Sequence, residues 1–486
     1  MHIKRRTFLQ ATVVATAAVV IGKQARAQAA PLPPLFISVE ANQAWDTTTS
    51  VDPHGNPAFS LYAEDQILTS GGLRVAPFAG TTPFSVRRLR TADTVDFFAT
   101  FGGFIRVVNG VDHRTVSHDI GPRHAFSGSL RDGFPALGAM VAAVQGPNLP
   151  LAFLSSGGFD DTQGIVTLTR SGRQNIVREL ARPNRSTGAA TSARFFPDDV
   201  DALVRDAQRA RDARRGTLLD ARRALRKVVT NHAAMASARG AEEGFLDLAN
   251  VLDASPATAD TNTLISAASL ALAGMRTVPA ACASAHLSFG NFDTHFDHDD
   301  DVTGHRVRMR DLLEGVGHLI DEIENNPANA ALKARGVLIY VSSDFGRTAY
   351  NGGEDDGARG KDHWPVTSAM VIGLGAMRPR VSGGTTIGRT TPFIDGVLQP
   401  GLRAMPLRFD ANDNLVPGTS PTETGAGLFA LTATEVNFAL RDALGLNDEE
   451  PAAGTARLVD RFALPEVDAG FTAVVAAGRN PLLNDV

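Results

Sequence analysis

The chain has 486 residues, of which 43% are hydrophobic and 20% charged, and this length fits one large domain or two ordinary ones with a sizeable core. The formal net charge of −5 and a pI near 6.2 argue against the basic surface that binding to nucleic acid or to an anionic membrane requires. Cys282 is the only cysteine, which excludes an intrachain disulfide and a thiolate metal cluster, and its apolar neighbours favour a buried small side chain.

The first 27 residues have the pattern of an export signal. Residues 4–9 contain a twin-arginine pair, residues 8–22 are apolar, and residues 25–27 form an Ala-Arg-Ala cleavage site. The apolar run is shorter than the ~20 residues that a membrane span needs, and no later segment is long and apolar enough. We therefore predict a twin-arginine signal peptide over residues 1–27, recognition by the twin-arginine export machinery, a periplasmic or secreted location, and no stable membrane insertion.

A first strand is predicted over residues 35–41, five of which are apolar. Asp46 follows the end of this strand, beside a run of three threonines. His54 comes next, in a segment rich in Pro and Gly, and we interpret it as a loop histidine and not as a metal ligand.

A loop dense in Asp, His, Ser and Thr follows a second predicted strand, residues 104–109. This loop spans residues 112–119 and precedes a helical pattern around residues 130–144. A hydroxyl group in such a position usually caps the helix. The alternative is a hydroxyl nucleophile, Ser117 or Thr115, held beside a metal ion. Spacing alone leaves both interpretations open.

The middle of the chain is predicted to contain a strand over residues 149–158 and then a helical insertion over about residues 197–255. Ala, Arg and Asp recur in the insertion at a spacing that gives each helix one polar face. We interpret that charged face as a solvated surface, with partner binding as the alternative.

The richest set of potential metal ligands follows a strand predicted over residues 285–292. Residues 293–301 combine carboxylates with two imidazoles, a mixture that suits Zn, Mn or Fe, whereas oxygen ligands alone suit Ca or Mg. A long amphipathic helix is predicted next, over residues 302–323. Helix capping with surface charge is one alternative, and structural Ca²⁺ binding by residues 297–301 is another.

A strongly apolar strand is predicted over residues 337–343, and it ends at Asp344. The order strand, helix, strand is a βαβ unit, which would bring Asp293 and Asp344 to one edge of the sheet. His363 returns after a Gly-rich loop. The alternative is that Asp344 caps a turn and that His363 is an ordinary loop residue.

The end of the chain is predicted to have a strand over residues 369–374, a loop-rich region over residues 376–430 and a helix over residues 433–444. Across the whole chain, several loops that leave strand ends thus carry metal-ligand chemistry. Their convergence on one sheet edge is what a two-metal hydrolase needs, with ions ~4 Å apart.

Four short motifs resemble the DUF1501 family of exported bacterial proteins, which is placed in the alkaline phosphatase-like superfamily with phosphatases, sulfatases and phosphoglycerate mutases. The motifs are the twin-arginine leader, the Phe-Asp-Thr-His run ending at His295, the Ser-Asp-Phe-Gly-Arg-Thr run ending at Thr348 and the Asp-His-Trp run ending at Trp364. The resemblance implies a single α/β domain over residues 28–486, with a largely parallel central sheet flanked by helices, a helical insertion and a loop-rich C-terminal region.

The resemblance also implies ligands for divalent ions, one or two per chain, with Zn or Mn favoured over Mg or Ca. Asp293, His295 and His363 resemble the ligands of one ion. Asp46 and Asp344 resemble ligands of the other ion, together with the nucleophile. Asp293 and His295 are two residues apart, whereas the phosphatases usually separate the corresponding pair by four.

By the same resemblance Ser117, or else Thr115, attacks the ester, and Arg347 is either an anion clamp or a structural ion-pair partner. We predict an exported metal-dependent hydrolase of phosphate esters, with sulfate esters less favoured because the loop lacks the motif of formylglycine sulfatases. Its substrate would be a small-molecule or polymer ester, and no nucleic acid partner is predicted. The alternative is a catalytically silent, metal-stabilised binding or scaffold protein, which Phe345 favours because active phosphatases have His at that place.

Overall fold

The computed structural model describes residues 33–77, 83–88, 93–223, 225, 228–229, 232, 242–254, 262–277, 280–351, 359–447 and 457–483. The predicted signal peptide, residues 1–27, and part of the predicted helical insertion lie outside these residues. Pro34–Val486 group into one compact unit. None of the helices in the described part of the chain is long and apolar enough to span a membrane.

An eight-stranded sheet lies at the centre of the described chain. Its strands, in spatial order, are β14 (Thr385–Ile387), β6 (Ile105–Asp112), β13 (Val366–Leu374), β10 (Val337–Ser343), β1 (Leu35–Ala41), β9 (Ser284–Phe289), β7 (Phe153–Ser155) and β8 (Leu168–Arg170). All neighbouring pairs are parallel except the two that involve β13. The predicted α/β class with a largely parallel central sheet is therefore confirmed.

Helices cover both faces of this sheet. They are α1 (Phe97–Phe101), α2 (Gly121–Ser127), α3 (Leu137–Gln145), α4 (Gln174–Ala181), α5 (Asp198–Ala221), α6 (Glu242–Ala254), α7 (Thr263–Arg276), α8 (His305–Asn325), α9 (Ala330–Arg335), α10 (Ala433–Ala443), α11 (Leu458–Arg461) and α12 (Ala469–Ala476). Side chains of α1, α7 and α8 share one apolar core with the sheet, whereas those of α2, α3, α10 and α12 share the opposite core.

The side chains of β1 alternate between the two cores of the sheet. Ile37 and Val39 belong to the core on the α7–α8 side, whereas Phe36 belongs to the core on the α2–α3 side. Ser38 and Glu40 lie on the same face as Phe36, and both are buried in contact with the imidazole of His286. The observed bounds of β1 and β10 match the predicted ones.

The segment predicted to be loop-rich, residues 376–430, contains five short strands and needs correction. A smaller four-stranded sheet has the order β12 (Gly360–Trp364), β11 (Gly346–Asn351), β16 (Val397–Ala404) and β15 (Thr390–Ile394). The remaining strands form three two-stranded pairs: β2 (Leu68–Ser70) with β3 (Leu73–Val75), β4 (Ser85–Arg87) with β5 (Thr94–Asp96), and β17 (Leu407–Phe409) with β18 (Leu415–Pro417). Most of the strands in residues 376–430 are short, and three of them contain proline, which weakens the strand signal in the sequence.

The β11–β12 pair also explains the direction of β13. The chain leaves β10, makes this antiparallel pair and returns directly, without a crossover helix. Such a return gives an antiparallel neighbour, because a parallel one requires a crossover. The helix predicted around residues 130–144 is observed as α3, which begins only at Leu137. The preceding helix α2 ends with Gly128 as its C-cap, which adopts a left-handed conformation with a φ of 79°.

Candidate metal centre

Five polar side chains meet where the strands of the central sheet end. Asp344 directly follows β10, and Asp293 and His295 follow β9. His118 lies in the loop between β6 and α2, and His363 is on β12, opposite Arg347 of β11. Of the predicted site residues, the structure thus brings together Asp293, His295, Asp344 and His363.

Asp344 orients the His118 imidazole and is itself held firmly. Its Oδ2 lies 2.6 Å from Nδ1 of His118. Its Oδ1 accepts hydrogen bonds from the backbone N–H groups of Ala44 and Phe345, at 2.6 and 3.2 Å, and from the Ser343 hydroxyl at 2.9 Å. The hydrogen bond with Asp344 raises the pKa of His118, against the opposing effect of its partial burial.

The other two imidazoles are held in the same way. Nδ1 of His295 lies 2.9 Å from Oδ1 of Asp362, and Nδ1 of His363 lies 3.2 Å from the carbonyl oxygen of Val116. An oxygen that accepts from Nδ1 fixes the proton there and leaves a lone pair on Nε2. In the neutral form of each imidazole, Nε2 is therefore the nitrogen with the free lone pair that can bind a cation.

The three Nε2 atoms converge on the carboxylate of Asp293. The distances to Asp293 Oδ1 are 3.0 Å from His295 and 3.2 Å from His363, and His118 Nε2 lies 3.9 Å from Asp293 Oδ2. Within the described residues, one set of His, Cys, Asp and Glu side chains has ligand atoms that all lie within 4.8 Å of one another. It consists of His118, Asp293 and His363.

Whether these atoms fit a metal ion depends on whether they can donate hydrogen bonds to one another. In the neutral tautomers described above, all of them are acceptors. The Nε2 atoms of His295 and His363 are 3.0 Å apart, although neither carries a proton in the tautomer that Nδ1 dictates. His118 Nε2 is buried and has no hydrogen-bond partner among the described residues. A cation between the atoms resolves this contact, since Zn–N bonds of about 2.0–2.1 Å place tetrahedral ligands ~3.4 Å apart. The donor set fits a divalent ion.

The charges around Asp293 favour its ionised form. Burial alone would raise the pKa of Asp293, but the hydrogen bond from Arg347 and the close contact with His363 outweigh it and hold the pKa below its ordinary value. Burial lowers the pKa of His363, which favours the neutral form of this imidazole. An ionised carboxylate beside a neutral imidazole is a protonation state that allows metal binding.

Arg347 is buried and all of its donor nitrogens are engaged. Nε donates to the carbonyl oxygen of Ala44 at 2.8 Å, Nη1 to that of Lys361 at 3.0 Å, and Nη2 to that of Phe292 at 2.8 Å and to Asp293 Oδ1 at 2.7 Å. Of the two roles left open for Arg347, this geometry favours the structural ion-pair partner over the anion clamp.

Asp46 lies in a different, fully buried cluster. Its Oδ2 accepts from Nζ of Lys361 at 2.5 Å and lies 3.1 Å from Nε2 of His298, and its Oδ1 accepts from the hydroxyl of Thr48 at 2.7 Å. Burial alone would raise the pKa of Asp46, yet Lys361 and His298 hold it well below the ordinary value. The structure therefore does not bring Asp46 into the group around Asp293.

Ser117 lies in the chain between Val116 and His118, which both contact the centre, and Thr115 directly precedes Val116. Val116 bonds His363 through its carbonyl oxygen, and His118 follows Ser117 directly. The Ser117 hydroxyl oxygen accepts from the backbone N–H of Asp119 at 3.3 Å. Helix α2 has no side-chain cap at its N-terminal residue Ile120, so the capping role left open for these hydroxyls is not observed.

Phe345 is buried and packs against the centre. The centroid of its ring lies 4.9 Å from that of His118 and 4.7 Å from that of His363. Residue 345 thus supplies no nitrogen or oxygen atom to the centre, and the imidazole beside its ring is that of His118. The sequence contains a signal for His118, since it lies in the Asp- and His-rich loop after a predicted strand. Sequence analysis nevertheless selected only the hydroxyl groups of that loop, Ser117 and Thr115, as candidate site residues.

The centre is reachable from solvent. The exposed fractions of the side chains are 34% for His118, 33% for Asp293 and 34% for His295. Two apolar side chains adjoin it in the chain, Val116 and Phe296, and they are 44% and 78% exposed. The side chains of the centre are thus partly open to solvent, although Nε2 of His118 itself is buried.

Carboxylates of the acidic segment, residues 297–301, accept hydrogen bonds from other groups of the protein. Asp300 accepts from the backbone N–H groups of Val302 and Thr303 at 2.9 and 2.6 Å, and Asp301 accepts from Arg306 at 2.6 Å. This geometry favours the turn and surface-charge interpretation over structural Ca²⁺ binding.

The fold and the site define the chain as an α/β protein with a candidate metal centre at the edge of its sheet. The model of the DUF1501 family, described as a protein of unknown function, matches residues 81–399, which is more than half of the chain. The chain therefore belongs to this family. No curated protein matches it. The matched segment contains all of the side chains around Asp293 but ends before α10 and begins after Asp46.

Proposed function

We propose that this chain is an exported, divalent-metal-dependent hydrolase of phosphate esters, with sulfate esters as less favoured substrates. The observation that carries the proposal is the convergence of three Nε2 atoms on Asp293 with every Nδ1 held by an oxygen acceptor. The proposal includes export by the twin-arginine route to the periplasm or beyond, and a fold related to the alkaline phosphatase-like superfamily.

His118, Asp293, His295 and His363 would hold the ion. Three nitrogen ligands and one carboxylate suit Zn or Mn better than Mg or Ca, which prefer oxygen. A bound ion of this kind lowers the pKa of a hydroxyl group or water and polarises a phosphoryl oxygen.

The remaining residues orient these groups and supply the nucleophile. Asp344 and Asp362 fix two imidazoles through Nδ1, and Arg347 fixes the Asp293 carboxylate. Ser117 is the proposed nucleophile because it directly precedes His118, and Thr115 is the alternative at the same loop.

A panel of phosphate and sulfate monoesters and diesters tests this proposal with Zn- or Mn-loaded protein. We expect turnover of phosphate esters, a loss of about 10³-fold or more in Ser117→Ala, and a change of only a few-fold in Thr115→Ala. The opposite pattern would make Thr115 the nucleophile. Metal-loaded wild type without turnover on any ester would refute the hydrolase.

A second candidate is a metal-stabilised binding or scaffold protein without turnover. The placement of Phe345 favours it, since the ring fills the space beside His118 and His363 where a further ligand could lie. The same panel separates the two candidates, because this protein would bind metal and gain thermal stability from it without hydrolysing any ester.

A further inference from the structure

We infer that Lys361 takes the place of a second divalent cation at Asp46, so that the centre proposed above holds one ion. The inference rests on the proposed function. Lys361 lies on β12, two residues before His363, and its side chain has no exposed surface. A lysine is almost never fully buried unless its charge is paired. The groups around the ammonium group of Lys361 therefore indicate its role.

The ammonium group is surrounded by oxygen atoms as a metal ion would be. Nζ lies 2.5 Å from Oδ2 of Asp46, 2.5 Å from the carbonyl oxygen of Phe59 and 3.3 Å from Oγ1 of Thr48. A carboxylate, a carbonyl group and a hydroxyl group are also the oxygen ligands that a hard divalent cation binds. His298 adds a nitrogen, since its Nε2 lies 3.1 Å from the same Asp46 oxygen.

Lys361 also connects this cluster to the loops of the centre. Its backbone N–H donates to the carbonyl oxygen of Thr294, at 3.1 Å, and Thr294 lies between Asp293 and His295 in the chain. Its own carbonyl oxygen accepts from Arg347 at 3.0 Å. An internal cation on β12 therefore neutralises Asp46 and fixes the loop of the metal ligands at once, without a second ion.

Removing the ammonium group separates this role from an ordinary buried ion pair. In Lys361→Ala the Asp46 carboxylate, the Phe59 carbonyl group, the Thr48 hydroxyl and the His298 imidazole are left around an empty volume. If Lys361 replaces a cation, a divalent ion should enter that volume. If Lys361 is only an ion-pair partner, the variant is destabilised and gains no ion.

The experiment counts Mn²⁺ ions per chain by elemental mass spectrometry, after chelator treatment, loading with Mn²⁺ alone and removal of free ion. We expect one ion in wild type and two in Lys361→Ala, together with a larger rise in melting temperature on Mn²⁺ addition in the variant. Lys361→Met, whose side chain fills the volume without charge, and Lys333→Ala, which removes a half-exposed lysine paired with Glu324, should both keep one ion.

One ion in a folded Lys361→Ala, with the same Mn²⁺ response as wild type, would overturn the inference. If Lys361→Ala is recovered unfolded, refolding decides: recovery that requires Mn²⁺ supports the inference, and no recovery with or without Mn²⁺ refutes it. A wild type that binds no ion would refute the proposed function instead. Two ions in wild type would refute the inference alone.

Discussion

Asp362 and Asp344 each accept a hydrogen bond from Nδ1 of one imidazole, at His295 and His118. Groups in this position usually matter to a metal site nearly as much as the ligands, because they fix the tautomer and the direction of the ring. Asp362 is the better one to change, because its side chain is 60% exposed and its replacement leaves no buried unpaired group.

We expect Asp362→Asn to weaken metal affinity by about 10- to 100-fold, since an amide is a poorer acceptor for Nδ1–H and lowers the basicity of His295 Nε2. Competition with a chelator of known affinity measures the change. Asp297→Asn is the matched control, because Asp297 is exposed, lies in the same loop as His295 and has a positive φ that Asn tolerates. Equal affinities in the two variants would contradict the orienting role.

Arg347 provides a second test at this scale. We expect Arg347→Met to lower the free energy of unfolding by about 3–5 kcal/mol, because carbonyl groups of two loops and of β12, together with the Asp293 carboxylate, lose a buried donor. Denaturant unfolding of the metal-free protein measures it. A variant that keeps wild-type stability and loses only substrate binding would show instead that Arg347 is an anion clamp.

The position of a site residue could be predicted from the sequence when the strand that precedes it could be predicted. Asp293 and Asp344 follow strands that the apolar runs indicate clearly, and they lie at one sheet edge as expected. Lys361 was missed because composition places lysines in solvent, and no sequence pattern shows that Asp46 would bury one. Asp46 itself follows its strand as predicted, yet the side chain belongs to another cluster.

At the scale of elements, β12 delivers His363 to the centre by pairing with β11. The sequence indicated only a Gly-rich loop here, residues 352–358 of which lie outside the described residues. The antiparallel direction of β13 was likewise not predictable, because strands buried on both faces look alike whichever way they run. What decides the direction is the short return through β11 and β12.

Gly360 allows β12 to pass close to the loop that contains Asp293 and His295. A Cβ atom at this position would lie 1.7 Å from the carbonyl oxygen of His295, which is backbone and cannot turn away. We therefore expect Gly360→Ala to displace β12 from that loop and to weaken metal affinity by more than 10-fold, a loss of about 1.4 kcal/mol or more. Calorimetric titration with Zn²⁺ measures the affinity.

Gly103→Ala is the control for this change, because a Cβ atom there would meet no atom within 4 Å and its φ is not in the left-handed region. We expect it to bind Zn²⁺ like wild type. Wild-type affinity in Gly360→Ala as well would show that β12 can shift without moving His363, and would contradict the role of this close approach.

At the scale of the whole molecule, two histidines on the α2 side of the sheet couple stability to pH. Burial lowers the pKa of His113 to about 3 and that of His124 to about 4. Both are lowered from an ordinary value of about 6.5, so the unfolded chain binds more protons between these values. Stability is therefore complete above about pH 6.5 and is lost as the pH falls towards 4.

We expect wild type to lose about 2 kcal/mol of unfolding free energy per histidine between pH 6.5 and pH 5 through these two groups. In His113→Phe the loss over this interval should be about 2 kcal/mol smaller. Denaturant unfolding at a series of pH values, with chelator present so that release of metal adds nothing, measures both. Identical pH dependences would show that His113 does not remain neutral in the folded protein.

The central claim is that one divalent ion binds between His118, Asp293, His295 and His363. Anomalous diffraction from crystals of the Zn²⁺-loaded protein, measured on both sides of the zinc edge, tests it most directly. We predict one strong anomalous peak about 2.0–2.1 Å from the imidazole Nε2 atoms and no peak beside Asp46, where Lys361 lies. A map with no peak among these four side chains, or with the strongest peak at Asp46, would contradict the account.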